Sequence, residues 1–156
     1  HQWLTQKSGL DKITSLAMLA EETRPRSIVT EDSVLVSLRG VNLNPGQDPE
    51  DMVSIRVFID QNRIITTGRR RLLSIDDMRT AILHGHGPKT SSEFMTLLND
   101  RLISRMSDVL EGLDDQVDEL EQESITSESY LVRSKIGDIR RQTILYACIW
   151  LHNERH

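Results

Sequence analysis

Carboxylate side chains that recur at helical spacing between residues 111 and 121 are the groups in this sequence best suited to chemistry. Glu111, Asp115 and Asp118 follow one another at intervals of four and three residues, which places them on one face of a helix. Further acids extend the same region: Asp114, Glu119 and Glu121. Carboxylates at this spacing repel one another, and a hard divalent cation such as Mg²⁺, which prefers oxygen ligands, relieves the repulsion. The pattern indicates cation binding without selecting the metal, and an ordinary hydrated helix face is the alternative.

Cys148 and His152, near the end of the chain, form a second set of candidate metal ligands. They lie four residues apart, so a sulfur and an imidazole share one face of the helix expected there. Zinc accepts such ligands, but its closed structural sites use four of them, and His156 at the next step provides only a third. The set therefore indicates an incomplete zinc site, with incidental side chains as the alternative.

Signatures of catalysis are missing from the sequence. It contains no Gly-rich phosphate loop, no Gly-x-Ser-x-Gly, no His-Glu-x-x-His and no Cys-x-x-Cys. A formal charge of −5 and an aromatic content of 4% argue against a nucleic-acid-binding surface, which needs basic groups and stacking platforms. We therefore expect neither an enzyme nor a nucleic-acid-binding protein.

The composition sets the size and the compartment. With 156 residues the chain is long enough for one domain, and its single cysteine excludes an intrachain disulfide, as in a cytosolic protein. No apolar run approaches the roughly 20 residues that a membrane-spanning helix needs, and no signal peptide is visible. The start at His1 and the abrupt end make a segment of a longer protein the expectation.

The first part of the chain is predicted to form two short helices and a small sheet. The second helix should pack through one apolar face, made of Leu10, Ile13, Leu16, Ala17 and Leu19. Apolar and polar residues alternate over 53–59, and a turn leads into 63–67, which predicts a hairpin whose first strand is half-buried. A further strand pattern over 28–41 is interrupted by a turn at 31–33. The sheet is therefore predicted to be at least partly antiparallel.

Helical patterns follow the sheet. Ser74 is predicted to cap a helix that stops at Gly85. The capping-box pattern Thr90–Glu93 then opens a long helix. No proline interrupts the sequence from there to Glu123, which gives a rod of about 50 Å. Another helix is predicted to begin near residues 127–129.

Apolar residues recur along the long helix at alternating intervals of three and four, the heptad spacing of a coiled-coil seam. The seam consists of Ile103, Met106, Leu110, Leu113, Val117 and Leu120. Such a seam must pack against other helices. One interpretation is a soluble helical assembly module, without metal transport, that binds a partner helix through it.

The segment at 39–56 reads Arg-Gly-Val-Asn-Leu-Asn-Pro-Gly-Gln-Asp-Pro-Glu-Asp-Met-Val-Ser-Ile-Arg. Physically it connects two strands, because Gly46 can supply a positive φ and prolines cannot donate to a sheet. The string closely resembles the segment found in the cytoplasmic domain of ZntB-type zinc transporters, a branch of the CorA metal-ion transporter family. The resemblance extends from about Trp3 to Thr143. It is densest at Glu21–Arg26, Val34–Arg56 and Arg69–Asp77.

The resemblance implies an α/β fold in which helices sandwich a small, mostly antiparallel sheet (α/β/α), followed by long stalk-type helices. Residues 1–89 would form the sandwich. Residues 90–156 would form long helices leading to a truncated stalk, with no transmembrane segment present. The family's membrane-loop Gly-Val-Asn motif is absent, and the sequence over 145–156 departs from the family.

The resemblance also implies a function. Five copies would form an intracellular funnel that gates or concentrates ions, so the expected partners are sibling copies in a homopentamer, metal ions, and the membrane, through helices missing from this chain. Zn²⁺ is the ion that the resemblance implies, with Mg²⁺ or another divalent cation as the alternative, either transported or regulatory. The expected location is the cytoplasmic face of the bacterial inner membrane.

Overall fold

Four strands and five helices make up the part of the chain that the computed structural model describes, residues 2–21, 24–126 and 129–153. Side chains are described for 2–21, 24–122 and 132–148. The helices are α1 (Gln2–Gln6), α2 (Lys12–Leu19), α3 (Leu73–Leu83), α4 (Ser91–Thr126) and α5 (Ser129–Asn153). The strands are β1 (Arg26–Val29), β2 (Ser33–Gly40), β3 (Val53–Asp60) and β4 (Ile64–Gly68).

The strands form one antiparallel meander in the order β1-β2-β3-β4. The register sets Leu38 opposite Ile55, so apolar side chains from neighbouring strands share one face. Asp60 closes the turn between β3 and β4, because its carboxylate accepts the backbone N–H groups of Asn62 and Arg63 at 2.9 and 3.0 Å. The predicted hairpin is confirmed.

Helices cover both faces of this sheet. On one face, α3 and α4 close a core made of Val36, Leu38, Val53, Ile55, Val57, Leu72, Met78, Phe94, Leu98 and Leu102. On the other face, α1 and α2 bury a second group, made of Leu4, Met18, Leu35 and Phe58. Burial of apolar surface on both faces holds the three layers together. The predicted α/β/α sandwich is confirmed.

Strand β3 is buried on both faces, so the prediction of a half-buried strand is wrong. Val57 faces α3 and α4 as its period-two pattern predicts. The opposite face is also covered, since Phe58 is buried and Arg56 is only 1% exposed. The reason is position: β3 is an inner strand of a sheet with helices on each side.

The apolar face predicted for the second helix is correct in part. Ile13 and Leu16 are 81% and 58% exposed, whereas Met18 is buried. The carboxylate of Asp11 caps α2 by accepting the N–H groups of Ile13 and Thr14 at 2.8 and 2.9 Å. Three members of the predicted face do pack against the core under α2: Leu10, Ala17 and Leu19. Ile13 and Leu16 lie half a turn away from the buried Met18, so the prediction is wrong for these two residues.

The start of α3 also differs from the prediction, whereas its end agrees. Ser74 does not cap the helix: the cap position is two residues earlier, at Leu72, which makes no side-chain capping bond. Ser74 is fully buried instead, and its hydroxyl has no partner in the described part of the chain. Leu72 is itself a core residue, so packing rather than capping fixes this end. Gly85 adopts a φ of 76° just past the other end, as predicted.

Helix α4 opens at the predicted capping box. The hydroxyl of Thr90 accepts the N–H of Glu93 at 3.1 Å, and the Glu93 carboxylate accepts the N–H of Lys89 at 2.7 Å. The helix then runs for 36 residues, about 54 Å at the usual rise. Its first turns belong to the sandwich core through Phe94 and Leu98, and the remainder packs with α5.

Candidate functional site

The paired helices α4 and α5 position the predicted metal ligands. Tyr146 of α5 is buried in a cluster with Met106 and Leu113 of α4. Farther along, Leu120 of α4 and Val132 of α5 line a common apolar cleft. Late residues of α5 thus meet early residues of α4, so α5 runs back along α4 as its antiparallel partner.

The predicted seam is partly covered within the single chain. Its members Met106, Leu113 and Leu120 are buried, and Tyr146 and Val132 of α5 supply much of that cover. Leu110 of the same seam remains 39% exposed. Other exposed apolar side chains of the pair are Ile136 and Ile144. Part of the seam therefore packs on the chain's own α5, and these three apolar side chains of the pair stay exposed.

Glu111, Asp115 and Asp118 lie on the side of α4 opposite to its buried seam. All three are exposed, as the helical period requires of residues set half a turn away from Leu113 and Leu120. Among the described residues none of the three carboxylates forms an ion pair. Helix geometry thus brings them into one line, with their charges facing water.

The described residues do not form a compact cage of metal ligands. No group of three or more His, Cys, Asp or Glu side chains within the described ranges is gathered closely enough to hold a metal ion. A line of exposed carboxylates along a rod attracts hydrated cations by its field and leaves inner coordination positions to water or to another chain. The proposed ligation by Glu111, Asp115 and Asp118 stays a prediction.

The second predicted ligand set lies on α5. Cys148 is exposed. The backbone of His152 belongs to α5, but its side chain lies outside the described side chains, as does the whole of His156. Whether sulfur and imidazole meet is therefore also a prediction.

Sequence reasoning missed the side chain that fixes α5 to the sandwich. Tyr146 is buried with Val41 and Met52, which lie at the two ends of the connection between β2 and β3. Burial, followed by the charges of Glu50 and Asp48, raises the pKa of Tyr146 to about 12. The only signal in the sequence was the family resemblance of this connection, whose Gly46 has the expected positive φ.

None of the helices formed by the described residues is both long enough and apolar enough to cross a bilayer.

Known proteins are similar to this chain over nearly its whole length. The family model described as "CorA-like Mg2+ transporter protein" matches residues 1–155. The divalent cation transporter CmaX of Pseudomonas aeruginosa is 43% identical over 121 residues, which cover 77% of this chain and 36% of the relative. The structure of the full-length CmaX protein aligns with a TM-score of 0.85 at 36% identity, covering 98% of this chain and 47% of the other.

Zinc transport proteins are similar too. ZntB of Pectobacterium carotovorum is 30% identical over 144 residues, which cover 92% of this chain and 44% of the relative. The crystal structure of the ZntB cytoplasmic domain from Vibrio parahaemolyticus has the same fold, with a TM-score of 0.71 at 23% identity over 97% of this chain and 75% of that one. The chain spans less than half the length of the CmaX and ZntB relatives it matches.

Proposed function

The chain belongs to the family of CorA-like Mg²⁺ transporter proteins, and from this membership we propose that it is the cytoplasmic domain of a divalent-cation transporter. One observation carries the proposal: full-length CmaX contains the same sandwich and paired helices over 98% of this chain. The family consists of ion transporters, so the expectation that the chain is not an enzyme is confirmed.

The two parts of the chain have different roles in this proposal. Residues 1–89 form the body of the domain, and residues 90–156 form the stalk that connects it to membrane helices. The burial of Tyr146 of α5 among Val41 and Met52 supports this division of labour, because it fastens the stalk to the sheet at a defined place. A shift of the stalk is then transmitted to the β2–β3 connection.

We propose zinc as the cargo, because the chain resembles zinc transport proteins over 92% of its length. Mg²⁺ is the alternative, since the family is described by that ion. Between Asp108 and Gln122 the sequence holds seven acids and no base, a field that raises the local concentration of either cation. In the proposal Glu111, Asp115 and Asp118 attract the hydrated ion, and Cys148 with His152 supplies the softer ligands that zinc prefers.

Assembly and location complete the proposal. Five copies would form a funnel at the cytoplasmic face of the bacterial inner membrane, joined to it by helices beyond this chain. Three exposed apolar side chains of the α4–α5 pair support association between copies: Leu110, Ile136 and Ile144. Apolar side chains left in water on a rod of this length favour burial against a neighbour.

The alternative is a soluble helical assembly module, favoured by the apolar cleft of 330 Å³ that Val117, Val132 and Ile136 help to line. Light scattering across protein concentration, with and without Zn²⁺ or Mg²⁺, separates the two. The transporter domain should change its assembly state with the divalent ion, because bound cations relieve repulsion among the α4 carboxylates. Assembly that is indifferent to metal would favour the module.

A further inference from the structure

A polar cleft of 630 Å³ lies beside the sheet, and none of the α4 carboxylates lines it. Four arginines do: Arg39 of β2, Arg56 of β3, and Arg69 and Arg70 just after β4. Leu145 of α5 contributes to the wall as well. The cleft therefore gathers bases from three strands at the place where the stalk helix meets the sandwich.

Arg56 is the unusual member of this group. It is 1% exposed, yet its only hydrogen bond among the described residues runs from Nη2 to the backbone oxygen of Glu21 at 3.1 Å. Its Nε is buried and has no partner in the described part of the chain. A buried guanidinium is normally matched by a carboxylate or another anion, because an unmatched charge is costly to remove from water.

The neighbouring charges that shift the pKa of Arg56 are positive. Desolvation, followed by the charges of Arg69 and Arg26, lowers the pKa of Arg56. The acids of the cleft are engaged elsewhere: Glu21 pairs with Arg69 at 2.7 Å, and the Asp51 carboxylate accepts from Arg70, with one bond at 3.1 Å. Both pairs are largely exposed, so they contribute little to stability and exchange readily with another anion. Glu50 also lines the cleft, and its carboxylate opposes the binding of an anion.

We propose that this cleft binds a phosphate-class oxyanion through Arg56 and Arg69. Guanidinium groups match phosphate oxygens with two parallel N–H bonds, and the orphan Nε of Arg56 is a donor of this kind. The incoming phosphate takes the place of the Glu21 carboxylate at Arg69. Because Leu145 borders the cleft, an occupied site touches α5 and therefore the stalk.

Isothermal titration calorimetry of the whole chain, in chelator-treated buffer at constant ionic strength, tests the proposal. Sodium phosphate and ADP serve as separate probes, and we expect saturable binding of both. Tighter binding of ADP identifies a nucleotide as the source of the phosphate, and equal affinities identify free phosphate. No divalent cation takes part, so a negative result leaves the transport proposal standing.

Matched variants locate the site. Arg69→Ala and Arg56→Leu should each weaken phosphate binding about tenfold, since each removes charge-assisted hydrogen bonds. Arg79→Ala, an exposed arginine of α3 outside the cleft, should change it less than about twofold. Arg69 is half-exposed, so its variant carries the test even where Arg56→Leu does not fold. Three results overturn the proposal: no saturable heat, equal heat with sodium chloride, or undiminished binding by Arg69→Ala.

Discussion

The carboxylate of Asp77 on α3 accepts a hydrogen bond from the guanidinium of Arg105 on α4 and lies 3.5 Å from that of Arg101. These half-buried pairs tie the long helix to the helix that closes the sandwich. They form at the point where α4 leaves the sheet: Arg101 precedes the core residue Leu102, and Arg105 precedes Met106, which packs with Tyr146 of α5.

Removing this junction should destabilise the domain slightly. We expect Asp77→Asn to lower the free energy of unfolding by about 1 kcal/mol, because two arginines lose their partner at a partly screened site. Urea unfolding followed by circular dichroism measures the change. Asp100→Asn, an exposed acid on the same helix α4, should be nearly neutral. Equal effects in the two variants would show that the junction contributes nothing specific.

Truncating the anchor of the stalk should loosen α5 and spare the sheet. Tyr146→Ala removes a buried ring from the cluster with Met106 and Leu113, at a cost of about 3 kcal/mol. We therefore expect amides of α5 to exchange about a hundredfold faster. Hydrogen–deuterium exchange resolved by peptide measures this. The control is Ile144→Ala, whose side chain is 55% exposed. Uniform acceleration across β2 and β3 would contradict a separate anchor.

The same tyrosine makes stability sensitive to alkaline pH. Its pKa is raised from 10.0 to about 12 by burial and nearby acids, so the folded state holds the proton that the unfolded state releases first. The contribution of the protonated Tyr146 to the free energy of unfolding is fully present below pH 10 and is lost as the pH rises towards 12. Wild type should therefore lose stability relative to Tyr146→Phe over that window, as measured by urea unfolding at several pH values. Parallel curves for the two proteins would refute the assignment.

Neutralising the exposed carboxylates Glu111, Asp115 and Asp118 of α4 should weaken cation binding. We expect the triple variant Glu111→Gln, Asp115→Asn, Asp118→Asn to bind Zn²⁺ or Mg²⁺ at least about tenfold more weakly by calorimetry, since three exposed carboxylates are lost. In chelator it should be more stable than wild type by a few tenths of a kcal/mol per relieved pair. The matched control is Glu31→Gln with Asp32→Asn, two exposed acids in the β1–β2 turn. Unchanged heats would contradict binding at these three carboxylates and leave Cys148 and His152 as the candidate ligands in this chain.

Sequence patterns predicted the helix and strand positions that depend on residues close together in the chain. The capping box of Thr90 and Glu93 set the start of α4, and alternation around Val57 set the strand β3. Long-range packing decided what the patterns missed. Ser74 is buried in the core close to Leu72. Arg56 is buried because helices distant in sequence cover its face of the sheet.

The candidate site also has one part that the sequence predicted and one part that depends on long-range packing. Helix periodicity was enough to place Glu111, Asp115 and Asp118 on one exposed face of α4. It carries no information on how far those side chains are from ligands on α5 or on another copy, because such distances depend on helix pairing and assembly. Tyr146 was missed for this reason, since its burial depends on contact with a loop about a hundred residues earlier in the chain.

Divalent-cation flux tests the central claim most directly. The transporter that we propose to include this chain is reconstituted into vesicles loaded with dyes for Zn²⁺ and Mg²⁺, and influx is compared with that of protein-free vesicles. We predict saturable influx of a divalent cation. The triple substitution at Glu111, Asp115 and Asp118 should reduce this influx severalfold, because these carboxylates no longer raise the cation concentration at the mouth of the proposed funnel. Influx no greater than in protein-free vesicles, for either ion, would contradict the assignment of this chain to a divalent-cation transporter.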